Sequence, residues 1–194
     1  CDSFFEHRIV HHCANDVFNS FKICIENFAH FIPLWYAVRM EFNLDDIINN
    51  SKKILLLTHV NPDGDTLGSM CALYSMILKR FKKKADMSIV SNIPFNYNFL
   101  PNVNLAQRYF DTSLVYDLVI TLDVAAIDRV RDAKILFDRG KCKINIDHHK
   151  TNPKFGDINI IEPEASSCGE VLYNYFKKNN VRYAKICVKD YHKN

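Results

Sequence analysis

Three short apolar runs, each ending directly in histidine or aspartate, constrain this chain more than any other feature of its 194 residues. Ile54-Leu55-Leu56-Leu57 passes into THVNPDGD, the VITL run into Asp123, and the INI run into Asp147-His148-His149. Apolar runs of this length, bounded by polar turns, read as strands buried on both faces. Helical periodicity lies between them: Leu67, Met70, Cys71, Tyr74, Ile77, Leu78 and Phe81 recur at three- and four-residue intervals. Strands alternating with helices predict an α/β fold, a mostly parallel sheet with helices on both faces, Rossmann-like in layout. Ligands of such sheets sit outside the carboxyl ends of the strands. His59, Asp63, Asp65, Asp123, Asp147, His148 and His149 are therefore expected to share one cleft.

The remaining elements fit the same plan. Asn43 can cap a short helix in which Leu44, Ile47 and Ile48 share a face, and strands are expected over 53–58, 87–90, 117–122, 141–146 and 158–161. A short helix is expected within 126–137. Ser167 followed by Glu170 reads as a capping box opening a helix through SSCGEVLYNYFKKNN, and that role suffices for the segment. Residues 1–39 look unlike the rest: they begin with Cys, are rich in Phe and His, and lack a clear strand or capped helix. Three parts are expected: an extension over 1–39, a main α/β domain over 40–183 with Met40 as its natural start, and a tail over 184–194.

Composition narrows the class. Hydrophobic residues at 48% and charged residues at 24% are ordinary for a globular chain, and a net charge of +3 is too mild to argue nucleic-acid binding by itself. The basic run KRFKKK, residues 79–84, reads as a solvated helix end whose cations suit the helix dipole. Seven cysteines without a CxxC pair favour a reducing, cytoplasmic setting. The apolar stretch FAHFIPLWYAV, residues 28–38, is too short to span a bilayer, so no membrane partner is expected.

So many carboxylates and imidazoles in one cleft repel each other unless cations neutralise them. Oxygen and imidazole donors without thiolate suit Mn²⁺, with Mg²⁺ and Fe²⁺ as alternatives. Gly64 permits a tight loop around Asp63 and Asp65. With the helix starting at Leu67, Gly68 and Ser69 would offer backbone amides to a substrate phosphate. His11, His12 and Cys13 lack a second ligand cluster and are not expected to hold metal.

Together the motifs resemble the DHH phosphoesterase superfamily, whose signature stands here as Asp147-His148-His149. THVNPDGDTLGS is similar to its first motif, VITLDVA to its second, NIDHHKTN to its third and EPEASSCGE to the segment leading to its fourth. The wording is most similar to the NrnA-type branch, bifunctional oligoribonucleases and pAp phosphatases related to RecJ-type exonucleases. The resemblance implies a two-metal phosphoesterase, usually with Mn²⁺, acting on a short oligonucleotide or nucleotide. By motif, His59 and Asp63 would hold one ion, Asp65 and His148 the other, and Asp123 both. His149 would face the substrate phosphate as a catalytic residue alongside Asp123, and Asp147 would orient the histidines from behind.

The pattern departs from the family after residue 183. A further strand ending in a metal-binding aspartate is not found, Asp190 comes too soon after the preceding helix, and the family's glycine-rich second domain has no counterpart. The expected function is hydrolysis of short oligoribonucleotides or 3′-phosphoadenosine 5′-phosphate (pAp). The alternatives are a non-catalytic fragment that binds metal or nucleotide, a RecJ-type exonuclease, a cyclic-dinucleotide phosphodiesterase and a pyrophosphatase. Homo-oligomerisation is left open.

Overall fold

The computed structural model describes residues 43–108 and 111–181. The expected extension, with His11, His12 and Cys13, and the expected tail, with Asp190, lie outside the described residues. Five strands, β1 (Ile54–Leu57), β2 (Asp86–Ser88), β3 (Leu118–Leu122), β4 (Cys142–Asp147) and β5 (Ile158–Ile161), form one sheet ordered β2-β1-β3-β4-β5. Every neighbouring pair is parallel. Helices α1 (Leu44–Asn50), α2 (Gly64–Phe81), α3 (Lys134–Arg139) and α4 (Cys168–Lys178) complete the regular structure.

The two-residue period of the strands explains why both faces are covered. Ile54 and Leu56 point into a large cluster with Leu67, Met70 and Ile77 of α2 and Leu172 and Phe176 of α4. Leu55 and Leu57 turn the other way, onto Tyr116, Val119, Leu136 and Phe137. All four β1 side chains are buried, and each such side chain is worth about 1.5–3 kcal/mol relative to exposure. No helix among the described residues is long and apolar enough to cross a membrane.

The strand order makes β1 and β3 neighbours, while the chain leaving β1 runs outward to β2 before returning. Adjacent carboxyl ends whose connections depart in opposite directions open a crevice at the switch point of the sheet. His59 and Asp63 follow β1 there, and Asp123 follows β3.

Helix α2 starts at Gly64, three residues before the expected Leu67. Asp63 is its N-cap, its side chain accepting from the Thr66 amide. The first turn is polar because it faces the cleft, so apolar spacing alone does not reveal it. Gly68 and Ser69 consequently lie inside the helix, where their amides belong to the helical ladder, and the free-amide argument for a phosphate at these two residues is removed. The expected helix over 126–137 is a 3₁₀ segment, Ile127–Ala133, running into α3. The second strand is Asp86–Ser88 rather than 87–90.

Gly156, before β5, has a packing role. A Cβ on it would lie 2.7 Å from the Ile158 carbonyl oxygen and 3.0 Å from the Asn145 amide nitrogen, both fixed backbone atoms. Gly156→Ala is expected to cost about 1–3 kcal/mol, the usual range for forced overpacking. Chemical denaturation of the two proteins checks this; an unchanged midpoint would show that the β4-β5 edge relaxes freely.

Candidate metal centre

Asp123 sits where β3 ends, with a positive φ of 59°, a left-handed conformation that aspartate tolerates better than most residues. Its amide donates to the Ile146 carbonyl at 3.0 Å, pinning the turn to β4. The side chain is buried, only 3% exposed. Oδ2 accepts from the Thr66 hydroxyl at 2.6 Å. Oδ1 is buried without a hydrogen-bond partner among the described residues. A buried carboxylate oxygen left unsatisfied is costly, and such exceptions call for a specific reason.

The imidazoles around it are oriented by backbone carbonyls or by a carboxylate. His59 Nδ1 is 2.7 Å from the Val60 carbonyl oxygen, which can only accept, so neutral His59 carries its proton there. Nε2 lies 2.7 Å from the Thr66 hydroxyl oxygen and 3.5 Å from Asp123 Oδ2. In the same way His148 Nδ1 donates to the Ala165 carbonyl at 3.2 Å, leaving Nε2 3.6 Å from Asp123 Oδ1 and 3.7 Å from Asp65 Oδ2. His149 Nδ1 donates to the fully buried Asp147 at 2.7 Å. In His148 and His149 a carbonyl or carboxylate partner on one ring nitrogen and an open second nitrogen are the usual preparation for metal or substrate.

Two sets of side chains each offer ligand atoms within 4.8 Å of one another: His59, Asp63 and Asp123, and Asp123, Asp147, His148 and His149. Asp123 belongs to both. Asp65 lies outside these sets because the amides of Cys168 and Gly169, at 2.8 Å each, hold its carboxylate; it still faces His148 Nε2. Within the second set Asp147 is already engaged by His149 and by the Asn152 amide at 2.6 Å.

Protonation follows these contacts. Burial would lower the pKa of His59, but its contacts with Asp123 and Val60 outweigh this and hold it above the usual histidine value. Burial raises Asp65, aided by the charge of Asp123 and opposed by the two helix amides. Asp63 is depressed: burial acts upward, and the Thr66 amide, the Thr66 hydroxyl and His59 act downward more strongly. Asp147 is likewise depressed despite burial, by His149 and Asn152. Cations bind only the deprotonated donors, so affinity is expected to rise with pH through the elevated values of His59 and Asp65. Mn²⁺ titrations at several pH values check this; a flat profile would mean that neither group is a ligand.

The orphaned Asp123 oxygen, the open Nε2 of His148 and the absence of thiolate among these donors fit hard or borderline divalent cations. Three participants were not identified from sequence. Thr66 lies 2.7 Å from His59 Nε2 and 3.1 Å from Asp63 Oδ1 while donating to Asp123. Asn152 ties Asp147 to the Val124 carbonyl at 3.0 Å. The SSCGE segment caps α4 through Ser167 as expected, yet its next two amides also hold Asp65, a task that the capping pattern alone does not disclose.

Comparison with known proteins decides the family: the chain matches the DHH family, N-terminal domain, over residues 53–192. The chain belongs to the DHH family. The DHH region is 30% identical, over 129 residues, to a probable bifunctional oligoribonuclease and PAP phosphatase NrnA of Streptococcus mutans, covering 66% of this chain and 40% of that protein. It is 32% identical, over 120 residues, to the bifunctional oligoribonuclease and PAP phosphatase NrnA of Thermus thermophilus, covering 61% and 35%. The fold is similar to the crystal structure of an exopolyphosphatase-related protein from Bacteroides fragilis, with a TM-score of 0.68 and 25% identity over 75% of this chain and 46% of that one. The chain thus spans about 40% of the length of the first of these curated relatives.

Proposed function

We propose that this DHH domain is the catalytic part of a divalent-metal phosphoesterase that hydrolyses short oligoribonucleotides, pAp or both. The observation that carries this reading is Asp123, a buried carboxylate shared by two donor groups with one oxygen unsatisfied. The names of the NrnA relatives supply the substrate class.

His59, Asp63 and Asp123 would hold one cation, and Asp65, Asp123 and His148 a second, with Mn²⁺ favoured. Bound there, the ions would lower the pKa of water and neutralise charge on the reacting phosphate. The chain's own groups do the rest. Thr66 fixes the Asp123 carboxylate from beneath, and the Val60 and Ala165 carbonyls fix the ring planes of His59 and His148. His149, part-exposed and anchored on Asp147, keeps its second ring nitrogen for a phosphate oxygen of the substrate.

The test is incubation with Mn²⁺ and pAp or di- to pentanucleotides, following AMP, phosphate and mononucleotides by chromatography. The expected result is Mn²⁺-dependent release that His149→Ala reduces by about 10²–10⁴-fold. Absence of both hydrolysis and binding of these ligands in a protein that binds Mn²⁺ would remove the substrate assignment.

A further inference from the structure

Arg129 lies in the 3₁₀ segment after β3 and is docked against the loop that carries His59. Its amide donates to Ala126 at 3.0 Å and its carbonyl accepts from Val60 at 2.9 Å, so the side chain projects from a backbone held at both ends. The guanidinium Nη2 comes within 3.2 Å of His59 Nδ1. That contact is not a hydrogen bond in the neutral ring, because the Nδ1 proton points to the Val60 carbonyl at 2.7 Å and a protonated nitrogen has no lone pair to offer. The alternative tautomer would set two lone pairs against each other at that distance.

Arg129 also takes part in none of the ion pairs among the described residues. The nearby carboxylates have other donors: Asp63 accepts from the Thr66 amide, and Asp123 Oδ2 from the Thr66 hydroxyl. A partly buried guanidinium beside an acidic cluster, unpaired with it, is an anion site waiting on the rim. Two residues further along the same 3₁₀ segment, Arg131 and its neighbour Asp132 line a cavity of about 190 Å³ together with Ser88, Arg108 and Thr112.

We propose that Arg129 contacts the substrate, its planar fork taking a non-bridging phosphate oxygen on the His59 side of the centre. This rests on the phosphoesterase reading and adds the direction in which the ligand lies. Arginine presents paired donors that match phosphate geometry, which a lysine does not reproduce.

The experiment is calorimetric titration of AMP into the full chain with saturating Mn²⁺, for wild type, Arg129→Met, Arg129→Lys and, as a remote control, Lys178→Met. Mn²⁺ itself is titrated into each protein first. Arg129→Met is expected to weaken AMP by about 10–100-fold, the loss of one charge-assisted contact, with Mn²⁺ affinity unchanged. Arg129→Lys should recover part of the loss and Lys178→Met should lose nothing. Equal AMP affinity in Arg129→Met and wild type overturns the contact while leaving the phosphoesterase reading in place. Parallel loss of Mn²⁺ and AMP in Arg129→Met overturns it too, since Arg129 would then act through His59. A wild-type protein that takes Mn²⁺ but neither AMP nor pAp overturns both.

Discussion

Asp123→Asn is expected to abolish the thermal stabilisation of this protein by Mn²⁺. In the wild type, a cation at about 100 times its dissociation constant adds roughly 2.7 kcal/mol to the stability of the folded state. Asp123 contributes to both donor groups and has an oxygen with no hydrogen-bond partner among the described residues, so the asparagine removes negative charge from both ion positions at once. Asp147→Asn is the comparison. Its carboxylate is occupied by His149 and Asn152, and losses behind a ligand are typically about 10–100-fold in affinity. Asp123→Asn should exceed that. Thermal denaturation with and without Mn²⁺, together with calorimetry, reads the order; equal or reversed losses would take Asp123 out of the bridging position.

Asn152→Ala is expected to lower stability by about 2–4 kcal/mol even without metal. The Asn152 amide nitrogen donates to Val124 and Asp147, and its oxygen accepts from Asn145 at 3.1 Å and from the Lys154 amide at 2.8 Å. Asn145 in turn accepts from Thr121 at 2.9 Å. Thr121, Asn145 and Asp147 are fully buried, and each buried group stranded by the truncation costs about 1–3 kcal/mol. Since the depressed pKa of Asp147 rests partly on this donor, the variant should also lose less further stability than the wild type on acidification from neutral pH. The Asp147 contribution is present above the ordinary carboxylate value and is lost as pH falls through the depressed one, so a weaker depression leaves less to lose and the gap between the two proteins narrows towards acid. Urea titrations at pH 7 and near pH 4 measure both effects. A change below about 0.5 kcal/mol, the range of ordinary surface substitutions, would show that the network is not a structural unit.

Much of this architecture can be read from residue order because apolar runs and charged strand ends are local. The runs ending at Leu57, Leu122 and Ile146 are buried strands whose charged followers come together. The order β2-β1-β3-β4-β5 is not local, since which strand lies beside β1 depends on how the crossovers pack. Thr66 looks like an ordinary first-turn threonine; its hydroxyl meets a carboxylate 57 positions later in sequence. The SSCGE pattern announces a helix start for purely local reasons, while its amides reach Asp65 across 103 positions. The early start of α2 was hidden for the opposite reason: Gly64, Asp65 and Thr66 serve the cleft, so they break the apolar rhythm that reveals the rest of the helix.

The most direct measurement of the central claim is anomalous diffraction from crystals of the protein soaked with Mn²⁺. Two peaks about 3.5–4 Å apart, the usual spacing of a paired site, are predicted on either side of Asp123, one reached by His59 and Asp63 and the other by Asp65 and His148. Saturating Mn²⁺ with no peak at ligand distance from Asp123 would contradict the account.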